Sequence, residues 1–274
     1  MHKLLALSAL LLLSTSLAAK PAQRVIALAP HATELACAAG LCDQLIAVSA
    51  HSDYPVQVAR LEHVSNYQGI KIERIIALKP DLIIAWPAGN PQRELDKLKQ
   101  FGLRIYYSQT HTLEDIARNI EQLSEFSADP QVGKAAATHF RQQLAELKQR
   151  YQTATPVRYF YQLSEKPIIT LAQGSWPSEV FRFCGGENVF ERSATPYPQV
   201  GLEQVIVAKP EVIFTSEHAI ENGNMWQEWA AQLPAVQNQH IWALNADWLN
   251  RPTPRTLNAI RQVCDRFDSV RQKR

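Results

Sequence analysis

The chain has 274 residues, of which 46% are hydrophobic and 20% charged, as expected for a folded globular protein of one or two domains. Its formal net charge is +2, and it carries no arginine-rich run or basic stripe, so nucleic acid is not an expected partner. The motifs GxSxG, GxxxxGK[ST], GxGxxG and HExxH are all absent, and the histidines form no metal-spaced pair, which favours a binding protein over an enzyme.

Residues 1–18 predict a signal peptide. Lys3 supplies the positive start, Leu4 to Leu13 form an apolar region, and a small-x-small cleavage site ends at Ala18. The apolar run is shorter than the roughly 20 residues that a membrane-spanning helix needs. No cysteine lies near the cleavage site to carry a lipid. We therefore expect an exported, soluble protein without a lipid anchor.

Residues 19–127 alternate between short apolar runs and amphipathic stretches, which predicts a first α/β lobe with a mainly parallel sheet. "RVIALAP", "LIAVS", "DLIIAW" and "RIYYS" read as strands. Helices are predicted over "HATELACAAG", which Thr33 would cap and which would end near Gly40, and over "ERIIALK", which Pro80 would stop. "ELDKLKQFG" and "LEDIARNIEQLSEFS" predict two further helices.

Residues 128–152 predict one long helix that links two lobes. Asp129 can cap it, Pro130 occupies the first helical position, and apolar residues recur every three or four positions as far as Tyr151. Such a helix would be roughly 33 Å long at 1.5 Å per residue.

Residues 153–274 repeat the plan of the first lobe. "LEQVIVAKPEVIF" matches "IERIIALKPDLII" 130 residues earlier, so that a glutamate, a lysine and a proline recur in each copy. "VRYFYQL" and "HIWAL" read as strands, and "SEVFRFCGG" and "TPRTLNAIRQVCDRFDSV" as helices. The fold class expected is α/β, with two lobes of similar three-layer architecture and mainly parallel sheets. One long helix would join the lobes, and a ligand cleft would lie between them.

Four cysteines predict two disulfide bonds in an exported protein. Their positions favour Cys37 with Cys42 and Cys184 with Cys264. The second pair would close a long loop and contribute on the order of 4 kcal/mol. The first pair stays open, because five residues across a helix end need not supply the geometry of a disulfide. A zinc site formed by all four cysteines is a further alternative, disfavoured because no CxxC pair exists.

Aromatic residues stand in loops and at strand ends of both halves, which suits a large, flat, partly apolar ligand. They are Tyr54, Tyr67, Trp86, Trp176, Tyr197 and Trp248, with His51 nearby. Asp247 and Arg251 flank Trp248 and are candidates for hydrogen bonds to polar groups of the ligand. The alternatives are core packing for each aromatic residue, a local surface ion pair for Asp247 and Arg251, and an exposed loop histidine for His51.

Five segments resemble the periplasmic substrate-binding proteins of ABC importers whose lobes are joined by a single helix. They are "RVIALAPHATELACAAG", "SDYP", "ERIIALKPDLIIAW", "FCGGENVF" and "PQVGLEQVIVAKPEVI". Within that family, "VSNYQGIKIERIIALKPDLIIAW" and "DWLNRPTPR" are most similar to the cobalamin-binding members. The resemblance implies a non-catalytic periplasmic protein, monomeric when free, that needs no cofactor. Cobalamin would be its ligand, and its partner would be an importer of two permease and two ATPase subunits.

The resemblance also implies roles for single residues. The cobalamin contacts would be His51, Tyr67, Trp86, Tyr197, Asp247, Trp248, Leu249, Asn250 and Arg251. Glu73 and Glu203 would meet arginines of the permease, and Cys184 would pair with Cys264. His51 stands where relatives have tyrosine, and Tyr67 and Tyr197 where they have tryptophan, which implies a smaller and more polar pocket edge. One hypothesis is that His51, facing the cobalt, replaces an exchangeable water of aquocobalamin.

Three other functions remain open at this level. A siderophore or haem carrier of the same family would use basic residues against an anionic ligand, and the residues named above offer mainly Arg251. An exported α/β hydrolase would need a nucleophile beside a base. A structural or sensory module would have no deep cleft.

Overall fold

The computed structural model describes residues 20–152, 155–216 and 225–274; the predicted signal peptide lies outside the described residues. In the first lobe a six-stranded sheet has the order β4-β3-β2-β1-β5-β6, with every neighbour parallel except β3 and β4. Its strands are β1 (Val25–Ala27), β2 (Leu45–Ser49), β3 (Glu62–Asn66), β4 (Gly69–Ile70), β5 (Leu82–Ala85) and β6 (Ile105–Tyr107). Its helices are α1 (Pro30–Ala38), α2 (Ile72–Leu78), α3 (Gln92–Gln100) and α4 (Leu113–Ser124).

Strand β1 shows why the first lobe has three layers. Val25 and Ala27 pack into the core formed with α1 and α4, whereas Ile26 packs into a separate core with α2 and α3. A strand that is buried on both faces reads as a continuous apolar run, as this one does.

The predicted N-cap of α1 is wrong. The helix begins at Pro30, with Ala29 extended at φ −151° and ψ 152°. Proline fits the first helical position because its missing N–H has no partner there in any case. Thr33 lies inside the helix, and its hydroxyl lies 3.0 Å from that of Ser52, which itself lies 3.0 Å from the hydroxyl of Ser49. This buried network ties the loop after β2 to α1.

The long helix α5 (Pro130–Arg150) connects the lobes as the sequence indicates, while the exact lobe boundaries stay predictions. Asp129 caps it by accepting a hydrogen bond of 3.0 Å from the backbone of Gln131. On the first lobe, Arg141 forms ion pairs with Glu114 and Glu121 of α4. The far end contacts the second lobe, where the Tyr151 hydroxyl donates to Asp265 at 2.6 Å.

The second lobe has a four-stranded parallel sheet of order β10-β7-β11-β12. Its strands are β7 (Val157–Gln162), β10 (Gly186–Asn188), β11 (Val212–Ser216) and β12 (Ile241–Leu244), and β8 (Ser164–Glu165) and β9 (Ile168–Ile169) form a separate hairpin. Its helices are α6 (Ser178–Phe183), α7 (Leu202–Ala208), α8 (Pro234–Gln237), α9 (Ala246–Asn250) and α10 (Thr256–Arg271). The predicted two-lobe α/β fold is confirmed.

The sequence repeat is also a repeat of structure. Both seven-residue helices, α2 and α7, end at a lysine in the left-handed region, Lys79 at φ 49° and Lys209 at φ 47°. A non-glycine residue rarely adopts this conformation, so the same ending in both copies is unlikely to arise by chance. In each lobe an arginine of the first strand region caps that short helix: Arg24 donates to the last carbonyl of α2 at 2.7 Å, and Arg158 to that of α7 at 2.8 Å.

All four cysteines are paired. Cys184 at the end of α6 bonds Cys264 in α10, and Cys37 in α1 bonds Cys42. The zinc alternative is therefore wrong, because no thiolate is left to bind a metal among the described residues. In that same part of the chain no helix is long and apolar enough to cross a bilayer.

Candidate functional site

The carboxyl ends of neighbouring parallel strands bring three predicted ligand residues to one edge of the first sheet. Trp86 follows β5 directly, His51 lies just after β2, and Tyr67 lies in the turn after β3. Open α/β sheets bind ligands at this edge. Tyr67 is 92% exposed and Trp86 40% exposed, and His51 is exposed with φ 63°. Large aromatic surfaces that stay open at a strand end are available for a flat ligand.

The loop after β5 fixes Trp86 in place. The backbone N–H of Trp86 donates to the Asn90 side chain at 2.7 Å, and Asn90 donates to the Leu28 carbonyl at 2.9 Å. The indole also lies directly on Gly89, where a Cβ would stand 2.1 Å from two ring carbons. Only glycine permits that approach, so the ring is held by its own loop.

His31 is a functional-site residue that the sequence argument missed. It lies near the start of α1, just after β1, and its ring meets Trp86 edge-on with centroids 5.3 Å apart. Burial, and secondly the charge of Arg251, lower the pKa of His31 to about 4, so the imidazole is neutral at neutral pH. His31 follows β1 as Trp86 follows β5, and this shared position after a strand is the sequence feature that could have identified it as a site residue.

Ion pairs among five charged residues connect the two lobes. We call these residues the inter-lobe charge cluster: Glu34, Asp53, Asp247, Arg251 and Arg255. Arg251 lies 2.6 Å from Asp53, 2.8 Å from Asp247 and 3.5 Å from Glu34. Arg255 donates to both oxygens of Glu34, at 2.5 and 2.8 Å, and its guanidinium carbon lies 4.3 Å from the centre of the Tyr54 ring.

Burial makes this cluster different from a surface ion pair. The side chain of Glu34 is 2% exposed and that of Arg251 15%. Burial alone would lower the pKa of Arg251, but the hydrogen bond that it donates to Asp53 and the charges of the three acids raise that pKa above its usual range. The hydrogen bond from Arg251 is the main cause that lowers the pKa of Asp53. The predicted local pair between Asp247 and Arg251 is present, but it is not isolated, because Arg251 also contacts Asp53 and Glu34 of the first lobe.

The second lobe contributes Trp176 and the segment that includes α9. The Trp176 indole donates to the Leu249 carbonyl at 3.0 Å, and Asn245 caps α9 by accepting from the Trp248 backbone at 3.0 Å. Trp248 thus lies in a short helix rather than a loop. Leu249 is fully buried, and its predicted contact with the ligand stays a prediction. Tyr197 is half-exposed, and Asn250 is exposed at the end of α9.

Two cavities lie where the lobes meet. One, of about 370 Å³, is lined by Glu34, Tyr54 and Arg255 together with Cys37, Ala38, Pro55, Pro254 and Asn258. The other, of about 220 Å³, lies between residues 110–111 of the first lobe and the Trp176 loop of the second. His31 contacts Trp86 and feels the charge of Arg251, which in turn pairs with Asp247. His51 and Tyr67 lie on separate loops of the same edge.

These groups suit binding rather than bond cleavage. The site offers aromatic faces, a neutral imidazole and arginines already paired with carboxylates. Among the described residues no histidine is hydrogen-bonded to a serine or threonine hydroxyl, and no cluster of potential metal ligands is present. The predicted docking residues lie elsewhere: Glu73 and Glu203 are exposed in the first turns of α2 and α7.

Comparison with known proteins gives a consistent picture. The family model "Periplasmic binding protein" matches residues 25–247. The vitamin B12-binding protein of Vibrio parahaemolyticus is 66% identical over 261 residues, which cover 95% of this chain and 95% of that protein. The crystal structure of the periplasmic vitamin B12 binding protein of Vibrio cholerae superposes with a TM-score of 0.89 at 65% identity, covering 92% of this chain and 98% of that one. A periplasmic heme-binding protein from Roseiflexus reaches a TM-score of 0.79 at 20% identity, with 90% and 98% coverage, a likeness of fold alone.

Proposed function

The chain belongs to the periplasmic binding protein family, and we propose that it carries vitamin B12 through the periplasm to an ABC importer. The observation that carries this proposal is similarity at 66% identity, over nearly the whole chain, to a protein named for binding vitamin B12. The family consists of binding proteins, so the hydrolase alternative is set aside. Cobalamin is then the cargo of this protein and not a cofactor.

The cleft supports this ligand on physical grounds. A corrin ring is large and flat, and Trp86, Tyr67, Tyr197 and Trp248 provide aromatic surface around the space between the lobes. The periphery of the ring carries amide groups, which need hydrogen-bonding partners when they leave water. The polar groups that we assign to them are Asp247 and Asn250 in α9 and Arg251 just after it, and His31 joins this set beside Trp86.

Delivery to the importer requires a surface on each lobe that the permease can contact. Glu73 and Glu203 occupy equivalent positions in the repeated unit and are both exposed. We assign them to contact with basic residues of two like permease subunits. A glutamate in the first helical turn is also favoured by the helix dipole, by roughly 0.3–1 kcal/mol, which explains its presence but not its equivalent exposure in both lobes.

The test is a calorimetric titration of the purified mature protein with cyanocobalamin, haemin and a ferric siderophore in parallel. We expect saturable binding of one cyanocobalamin per chain and much weaker binding of the other two. Trp86→Ala should weaken cyanocobalamin binding, whereas Phe101→Ala, which removes another exposed aromatic residue of the first lobe at the end of α3, should not. Binding of haemin or siderophore without cyanocobalamin would show that the chain is a different carrier of the same family.

A further inference from the structure

The inter-lobe charge cluster has a net negative charge. Three carboxylates, Glu34, Asp53 and Asp247, surround two guanidiniums, Arg251 and Arg255, and the same five groups act electrostatically on one another. The neighbouring His31 adds no positive charge, because its imidazole is neutral. The one cation among the predicted ligand contacts is therefore already more than neutralised before any ligand arrives.

Most of the arginine nitrogens in the cluster already face a carboxylate. Arg251 directs its two terminal nitrogens at Asp53, Asp247 and Glu34, and Arg255 holds Glu34 with two of its nitrogens. An arginine fork engaged in this way has little capacity left for a carboxylate of a ligand.

Two of the three acids are more open to solvent than the arginine between them. The side chains of Asp53 and Asp247 are 56% and 44% exposed, against 15% for Arg251. A ligand group that enters from the cleft meets acceptor oxygens first. An amide N–H donates to such an oxygen in a charge-assisted hydrogen bond, whereas a carboxylate has no donor and is repelled by the like charge.

We propose that the inter-lobe charge cluster selects ligands whose peripheral groups are uncharged amides and rejects ligands that carry carboxylates there. This inference rests on the proposed function, since a corrinoid is the ligand class whose periphery carries amides. It assigns Asp53, which the sequence analysis did not single out, and Asp247 as specificity-determining residues. It also gives a reason why a member of this fold would discriminate against porphyrins with propionate groups and against anionic iron chelates.

The experiment compares cyanocobalamin with the three isomers in which a single peripheral propionamide has been hydrolysed to a carboxylate. Titrations of the wild-type protein should show at least one isomer bound about tenfold more weakly than cyanocobalamin, equivalent to about 1.4 kcal/mol. In the Asp53→Asn/Asp247→Asn variant that ratio should fall below about threefold, because the repelling charges are gone. Asp43→Asn removes the same charge from an exposed site just before β2 that is not part of the cluster, and should keep the wild-type ratio.

The outcomes distinguish failure of the selectivity proposal from failure of the proposed cobalamin function. If cyanocobalamin and all three isomers bind the wild-type protein equally, the selectivity proposal is wrong while the cobalamin function stands. If a carboxylate isomer binds more tightly, Arg251 exchanges its partners for the ligand, and the proposal is again wrong. If the ratio survives in the double variant, the discrimination arises elsewhere. If no corrinoid binds, the proposed function and this inference fail together. The single variants Asp53→Asn and Asp247→Asn give the same readout if the double variant does not fold.

Discussion

Replacing Gly89 with alanine tests whether the position of the Trp86 ring matters for binding. The added Cβ would stand 2.1 Å from two ring carbons, and the ring must retreat by at least about 1.3 Å to reach the 3.4 Å of ordinary contact. Gly89 has no positive φ, so alanine adds no backbone strain there and acts only through the ring.

The cost follows from the contact with the ligand that is lost. An aromatic stacking pair contributes about 0.5–1.5 kcal/mol beyond burial of area. We therefore expect Gly89→Ala to weaken cyanocobalamin binding by about tenfold, with little change in unfolding because Trp86 is partly exposed on a loop. Gly201→Ala is the matched control, since its Cβ would meet nothing closer than 3.4 Å and the residue caps α7 and is not among the proposed ligand contacts.

A double-mutant cycle completes this test. If Gly89→Ala acts by displacing the ring, it should have almost no further effect in the Trp86→Ala background, where no indole remains to be displaced. An unchanged affinity in Gly89→Ala alone, or additive losses in the cycle, would refute the assignment of Trp86 as an oriented ligand platform.

Three further predictions concern charge and stability. Glu34→Gln should destabilise the protein by about 3 kcal/mol in urea unfolding because it leaves buried guanidinium charge unpaired, whereas Glu62→Gln at an exposed pair should change little. Because the folded-state pKa of His31, about 4, lies below its unfolded value of about 6.5, stability should fall as the pH drops from 6.5 towards 4. His31→Phe should flatten that part of the pH profile, and an unaltered slope would contradict the buried neutral imidazole. Glu73→Arg with Glu203→Arg should leave cobalamin affinity intact and abolish uptake in cells, and persistent uptake would rule out the docking assignment.

The architecture of this protein can be predicted from the sequence because the patterns that specify each helix and strand are local. The apolar run of β1, the proline and capping aspartate at the start of α5, and the repeated helix–Lys–Pro–strand unit each specify one element, and these elements were correctly anticipated. The Thr33 cap failed for a local reason too, because a proline three residues earlier starts the helix first.

The site was less accessible to sequence reasoning because its partners are distant in the chain. Arg251 and Asp53 are separated by 198 positions, and only the folded lobes bring them together. A short helix such as α9 has too few residues for a periodic pattern, so the sequence predicts a loop around Trp248. The buried state of Leu249 and the contact between His31 and Trp86 likewise depend on tertiary packing, which no spacing rule contains.

The most direct test of the central claim is a crystal structure of the protein grown with cyanocobalamin. We expect a corrin ring between the lobes, with Trp86 against it, and with peripheral amides near Asp53 and Asp247. A ligand bound outside the inter-lobe space, or a cleft that stays empty at saturating cyanocobalamin while the lobes remain folded, would contradict it.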